Sequence, residues 1–293
     1  MTTHERPLEN EAAKEARLEE SAGTFSALYE HWERHQWSPL RLDLRTDAAT
    51  FAALGAEERD GFVWMFANRF HAEFNVARLL APFLLAAPSY EMRLLLATQV
   101  ADEHRHLQCV LRIYDEVFGV KGGLDAVREL ADEGLDPVSR TLLYDKLEEW
   151  TRPLEERRDE DTFLQAVFVY HVLGEGVIAR TGQHLAAARY RELVGFPGLA
   201  LGQRHVARDE ARHIGIGVSY VRSRIERDGG HAREVIAEVV TDLLGVAETM
   251  RETANGSMSD LVERGYGVPP DEFYAEAMRL VDIRLRSIGY LDA

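Results

Sequence analysis

The feature that most narrows the fold is a short motif that occurs twice. Asp-Glu-His-Arg-His, from Asp102 to His106, returns as Asp-Glu-Ala-Arg-His, from Asp209 to His213, and the two glutamates stand 107 positions apart. Helical residues three apart share a face, so each Glu-x-x-His offers a carboxylate and an imidazole one turn apart. Each copy follows a long helix-forming stretch with one central glutamate, Glu73 before the first and Glu175 before the second. The chain reads as two helical hairpins of one design. A single Glu-x-x-His carries little weight, because about one arises by chance in such a composition. Two copies, each behind a glutamate-bearing helix, form the carboxylate pattern of four-helix bundles that hold two metal ions.

The flanks support this reading. The motif face of the second long helix reads Leu96, Gln99, Glu103, His106, Val110, and that of the fourth reads Gln203, Glu210, His213, Gly217. The first offers Phe66, Phe70, Glu73, Val76, Leu80, and the third Phe168, Val172, Glu175, Ile178. Solvated acidic faces would have polar neighbours, and these are mostly apolar. A buried carboxylate without a partner is costly, and a pair of cations compensates all four. The expected metal ligands are therefore Glu73, Glu103, His106, Glu175, Glu210 and His213, with Glu103 as the bridge. Oxygen and imidazole ligands suit iron and manganese without choosing between them. Asp102 and Asp209 are expected to accept hydrogen bonds from the far ring nitrogens of the histidines. His171 reads as a core histidine rather than a ligand, and Cys109 as an inert buried residue.

Helical periodicity covers the rest, and no stretch alternates as a strand would. An amphipathic segment is expected over about Leu8 to Gln36, then long helices from Ala56 to Ala86 and from Ser89 to Phe118. Shorter helices connect Gly122 to Glu156. Long helices follow from Asp161 to Leu193 and from the Phe196-Pro197-Gly198 loop to Asp228, with two more before Leu291. The chain, 1–293, reads as a single all-α domain with its bundle core at about 56–228. Glu73 lies about 15 residues before Pro88 and Glu103 about 15 after it, so the two are level in the first hairpin. Glu175 lies farther from its loop than Glu210, and a bulge must absorb the difference. A net charge of −16 argues against a nucleic-acid partner. The lone cysteine excludes an internal disulfide and points to the cytoplasm. No signal peptide is visible, and the stretch read as most apolar, Leu79 to Pro88, is too short to span a bilayer.

These residues resemble the ferritin-like superfamily that includes ribonucleotide reductase small subunits, and within it the ligand-binding oxidases related to those subunits. The resemblance runs from about Trp37 to Arg224 in order and spacing. It includes the Trp37-Ser38-Pro39 turn, the segment around Glu73, Phe196 to Gly198, and Asp209 to Ile214. That family carries a valine three residues after its first glutamate ligand and a tyrosine five before its third, joined by an ether crosslink. Here those positions are Val76 and Tyr170. The resemblance implies a ferritin-like four-helix bundle with flanking helices, a manganese/iron cofactor or two iron ions, and a bound long-chain fatty-acid-like ligand. It also implies two-electron oxidation of a C–H bond by dioxygen, and a homodimer. Five residues turn Tyr170 about 140° from Glu175 on an ideal helix, so a bulged turn is expected there. Gly174 and Gly176 fit one, since each costs up to ~1 kcal/mol in a regular helix. The sequence departs from the family at Phe74, where an acidic residue is expected, and at Gln183 and His184, where tyrosines are. Two relatives offer other readings. A ribonucleotide reductase radical subunit usually keeps a tyrosine where Val110 stands. A di-iron N-oxygenase has a similar core motif. Iron storage fits poorly with the helices after Gly230.

Overall fold

The computed structural model describes residues 24–291 apart from 136, 193–194 and 254–256. The first part of the expected opening helix lies outside the described residues, and the described part is α1 (Phe25–Arg34). After a single turn at Pro39–Arg41 come α2 (Arg45–Ala53), α3 (Ala56–Ala86) and α4 (Tyr90–Glu116). The expected break at Pro88 is present, and Ser89 caps α4 by accepting from the Met92 amide at 3.1 Å. Gly119, at φ 76°, ends the hairpin in the left-handed region that glycine tolerates. α5 (Gly123–Gly134) and short turns up to Glu155 cross to the second hairpin.

The third long rod is not one regular helix. It starts as α6 (Glu160–Val167), widens into a π-helical stretch at Phe168–Ala179, and resumes as α7 (Arg180–Glu192). α8 (Pro197–Asp228) returns beside it. Its N-terminus is capped from another segment: the buried Asp47 carboxylate on α2 accepts from the Gly198 and Leu199 amides at 3.0 and 2.7 Å. A Cβ at Gly198 would lie 2.5 Å from the Asp43 carbonyl oxygen, so only glycine lets the chain pass. That contact explains the Phe-Pro-Gly loop. Three helices follow rather than the expected two: α9 (Gly230–Thr253), α10 (Ser257–Tyr266) and α11 (Pro270–Ser287). Gly267, at φ 75°, makes the additional break.

Buried apolar residues form two clusters, and the polar centre falls between them in chain order. On α3, Phe70 belongs to one cluster and Leu79 to the other, with Glu73 between. On α4, Leu96 and Leu107 flank Glu103 and His106, and on α8, Leu199 and Ile214 flank Glu210 and His213. Glu175 sits likewise between Val172 and Ala186. Hydrophobic burial above and below thus holds a charged layer that could not fold alone. Among the described residues one rod, Glu160–Tyr190, is long as well as apolar. By length and composition it could cross a membrane, yet most of its apolar window is buried inside the protein.

Candidate metal centre

The six side chains singled out in the sequence converge. Two overlapping groups form, Glu73, Glu103, His106 and Glu210 in one, and Glu103, Glu175, Glu210 and His213 in the other. Within each group the potential ligand atoms lie within 4.8 Å of one another, and every residue is buried. Glu103 and Glu210 are common to both groups. His106 Nδ1 lies 3.3 Å from Glu103, 3.4 Å from Glu73 and 3.5 Å from Glu210. His213 Nδ1 lies 3.1 Å from Glu103, 3.7 Å from Glu175 and 3.8 Å from Glu210.

The far nitrogens are used differently. His106 Nε2 meets Asp209 at 3.2 Å, and His213 Nε2 meets Asp102 at 3.2 Å. Each aspartate serves the histidine of the other motif copy, so α4 and α8 are cross-braced by a pseudo-symmetric pair. The pairing extends outward, because Trp32 Nε1 donates to Asp102 at 3.0 Å and Trp37 Nε1 donates to Asp209 at 2.7 Å. Arg212 donates to Asp102 at 2.7 Å, and Arg105 donates to it at 2.8 Å while lying 3.7 Å from Asp209. With Nε2–H given to a carboxylate, Nδ1 keeps the lone pair a metal needs.

The centre is chemically unfinished as a protein-only cluster. Glu103 Oε2, Glu175 Oε2, Glu210 Oε2, His106 Nδ1 and His213 Nδ1 are all buried without a hydrogen-bond partner. Native interiors rarely leave such groups unpaired. Cations at this point would satisfy all five, so the residues present fit a dinuclear ion pair. Without metal, protons carry the balance. Burial, with Glu210 and Glu103 nearby, pushes Glu175 well above the usual carboxylate range. Burial and Glu103 raise Glu210 as well. At Glu103 burial works the same way, but His106 and His213 outweigh it and hold the group low. Burial opposes charging His106, yet Glu73 and Asp209 raise it well above its ordinary value. Asp102 and Glu103 do the same for His213 against its burial. Metal binding would displace these protons.

The π-helical stretch answers the register question at Tyr170. Its i→i+5 bonding brings residues five apart toward one face, and Tyr170 and Glu175 are five apart within it. Tyr170 Oη donates to the Val76 carbonyl at 3.2 Å. Burial, then the charge of Glu103, pushes this phenol well above its ordinary pKa, which keeps it protonated. His171 stands outside both groups, as expected of a core histidine. Its Nε2 pairs with Gln99 Oε1 at 3.0 Å, and Gln99 Nε2 donates to Glu175 at 2.8 Å. Burial lowers His171 to about 3, so it is neutral. Arg284 of α11 donates to the Gly176 carbonyl at 3.0 Å, which ties the C-terminal helix to the same stretch. Phe74, where the sequence resemblance led to an expected acidic residue, stacks on Phe70 at 5.7 Å. His184 pairs with Glu276 at 2.8 Å.

Beside the cluster lies a cavity of about 190 Å³. Glu73, Glu175 and Glu210 border it, and Val76, Leu143, Val169, Leu173 and Phe273 contribute apolar walls.

The architecture is that of a ferritin-like bundle with a buried carboxylate and histidine cluster able to hold a dinuclear metal site. No protein-family model matches the sequence. Solved structures with the same fold are R2-like ligand-binding oxidases. One variant with an anaerobically reconstituted Mn/Fe cofactor is 21% identical at a TM-score of 0.77, over 90% of this chain and 93% of that one. A glycine-to-leucine variant of such an oxidase, also with an anaerobically reconstituted Mn/Fe cofactor, is 22% identical at 0.77. A valine-to-alanine variant is 20% identical at 0.75, over 92% of this chain and 94% of that one.

Proposed function

We propose that the chain is a dioxygen-activating oxidase whose centre, manganese/iron or di-iron, is held by Glu73, Glu103, His106, Glu175, Glu210 and His213. The observation that carries this is the pair of overlapping buried groups that share Glu103 and Glu210. Glu103 would be shared by the two ions, Glu73 and His106 would hold one of them, and Glu175, Glu210 and His213 the other. Two redox metals there supply electrons to dioxygen and an oxidant strong enough for a C–H bond. The protein's part is to hold the ligands, fix the imidazole tautomers through Asp102 and Asp209, and exclude water. The cavity takes an acid whose apolar body lies against Val169 and Leu173.

Val76 and Tyr170 are the proposed crosslink pair, supported by the 3.2 Å approach of the phenol to the Val76 backbone. The Val76 Cβ–H and Tyr170 O–H bonds break and a Cβ–O bond forms. Two protons and two electrons pass to dioxygen.

The test is aerobic loading of the purified protein with iron and manganese, followed by elemental analysis and intact-mass spectrometry. About two metals per chain are expected, with loss of the mass of two hydrogens and one joined Val76–Tyr170 peptide. Val76→Ala and Tyr170→Phe abolish the mass change and keep the metals. Glu103→Ala loses most of the metal, and full metal content in that variant would refute the ligand set. An unchanged mass in the loaded wild type refutes the crosslink and moves the chain toward an N-oxygenase.

A further inference from the structure

Size and charge say more about the ligand than its being apolar. A dry engineered cavity of about 150 Å³ accepts benzene, and the cavity here is about 190 Å³. It accommodates a benzene-sized body with a small substituent, or a short chain. A long acyl chain such as palmitate would leave about half of its methylenes outside that volume, where they gain no burial free energy.

The charge at the metal end is also countable. Glu73, Glu103, Glu175 and Glu210 balance two divalent ions. Asp102 and Asp209 are balanced by Arg105 and Arg212 around them. Arg69 remains. It lies one turn before Glu73 on α3, borders the cavity, and its Nη2 is 3.3 Å from Glu73 Oε1. Its Nη1 donates to Gln203 Oε1, and the buried Gln203 Nε2 has no partner. Once Glu73 is committed to a metal, the guanidinium is a largely buried cation in need of an anion. The other cation bordering the cavity, Lys146, is already bound to Asp242 at 2.7 Å and Glu149 at 2.9 Å.

We infer that the ligand is a compact carboxylic acid of about ten non-hydrogen atoms or fewer, aromatic or short-chain, whose carboxylate is recognised by Arg69. This rests on the metal-centre reading above and adds a size limit and a recognition residue to it. The compact apolar body fills the cavity, and the acid group satisfies the one charge that the metals and aspartates leave over.

The experiment is isothermal titration of the metal-loaded full-length protein with hexanoate, octanoate, palmitate, phenylacetate and hexanol. Metal content is measured first on each sample. Affinity should rise about fourfold per methylene up to octanoate, the burial value of ~0.8 kcal/mol per CH₂, and gain nothing from octanoate to palmitate. Hexanoate should bind about tenfold tighter than hexanol, a charge-assisted difference. Arg69→Met, which keeps an unbranched apolar stem and removes the charge, should bring the two within about twofold. Affinity that climbs steadily to palmitate, or stoichiometric long-chain acid extracted from the purified protein, overturns the size limit. An unchanged acid preference in metal-loaded Arg69→Met overturns the recognition role. If Arg69→Met fails to take up metal, the wild-type length series still decides the size limit. The wild-type preference for hexanoate over hexanol then decides the charge role, and equal binding of the two overturns it. Wild-type protein that takes up no metal would refute the metal-centre reading and, since Glu73 then stays with Arg69, the recognition role with it; the metal content measured first tells that failure apart from a failure of ligand binding.

Discussion

Replacing Gly217 with alanine should destabilise the protein, although the same change in most helix interiors does the opposite. Gly217 lies inside α8, where exchanging glycine for alanine ordinarily gains up to ~1 kcal/mol. Here a Cβ would lie 2.3 Å from the His171 Cβ, 3.1 Å from its Cγ and 3.5 Å from its Cα. Carbon atoms in contact prefer about 3.5–4.0 Å, so the nearest pair must separate by more than an ångström. A rotamer change cannot provide this, because the Cβ position is fixed by the His171 backbone, and the π-helical stretch itself must move. Overpacking of this kind costs about 1–3 kcal/mol, and a backbone-fixed clash belongs at the upper end. Subtracting the propensity gain leaves a loss of about 2 kcal/mol. For a chain of this size that lowers the melting temperature by about 3 °C. The displacement also pulls His171 from Gln99, which donates to Glu175. The assay is thermal unfolding of the metal-free proteins by circular dichroism, with Gly245→Ala as the control. A Cβ at Gly245 in α9 would meet nothing within 4 Å, so that variant should melt at or above the wild type. Gly217→Ala melting at or above the wild type would refute the packing argument.

The two aspartates behind the histidines should separate metal affinity from stability. Asp209→Asn should weaken metal binding about 10–100-fold in chelator competition with a small change in melting temperature. Asp102→Asn should do the same and also melt markedly lower, because it leaves the buried Arg212 short of its 2.7 Å partner; equal melting of the two variants would contradict this. Glu276, on α11, is held down to about 2, first by its hydrogen bonds from Arg279 and then by His184 on α7. A carboxylate depressed in the folded state stabilises it above the unfolded pKa of ~4.3 and loses that contribution as pH falls toward 2. Glu276→Gln should therefore flatten the melting temperature's acid dependence across that window while changing the metal content little, and an unaltered acid profile would show the pair to be inert.

What the sequence made legible follows from which information is local. The long helices were readable because their apolar stripes and terminators are local: α3 spans the expected Ala56–Ala86, and Ser89 caps α4 as its position implied. The six converging side chains were readable because the motif is repeated. The bulge was readable only as a necessity, since Tyr170, Glu175 and the unequal arms of the second hairpin could not be reconciled on a regular helix. Its extent, Phe168–Ala179, depends on partners distant in the chain. Gly217 makes room for His171, and Arg284 holds the Gly176 carbonyl, so the conformation of that stretch is stabilised from α8 and α11. The same limit applies to the aspartates. The motif marks Asp102 and Asp209 as acceptors for the histidines without saying which serves which, and each pairs with the histidine of the other copy. A residue on one helix at i cannot reach behind the imidazole at i+4 that points inward beside it, whereas the facing helix can. The crossed arrangement therefore needs two packed hairpins, and so does the contact of Arg212 with Asp102 from the facing helix. Neither tryptophan signalled its role by periodicity, because Trp32 and Trp37 act through indole nitrogens at the mouth of the pairing rather than through a buried face. Because each half supports the other half's histidine, loosening either hairpin would free both imidazoles, and ions held at the two positions would be lost together.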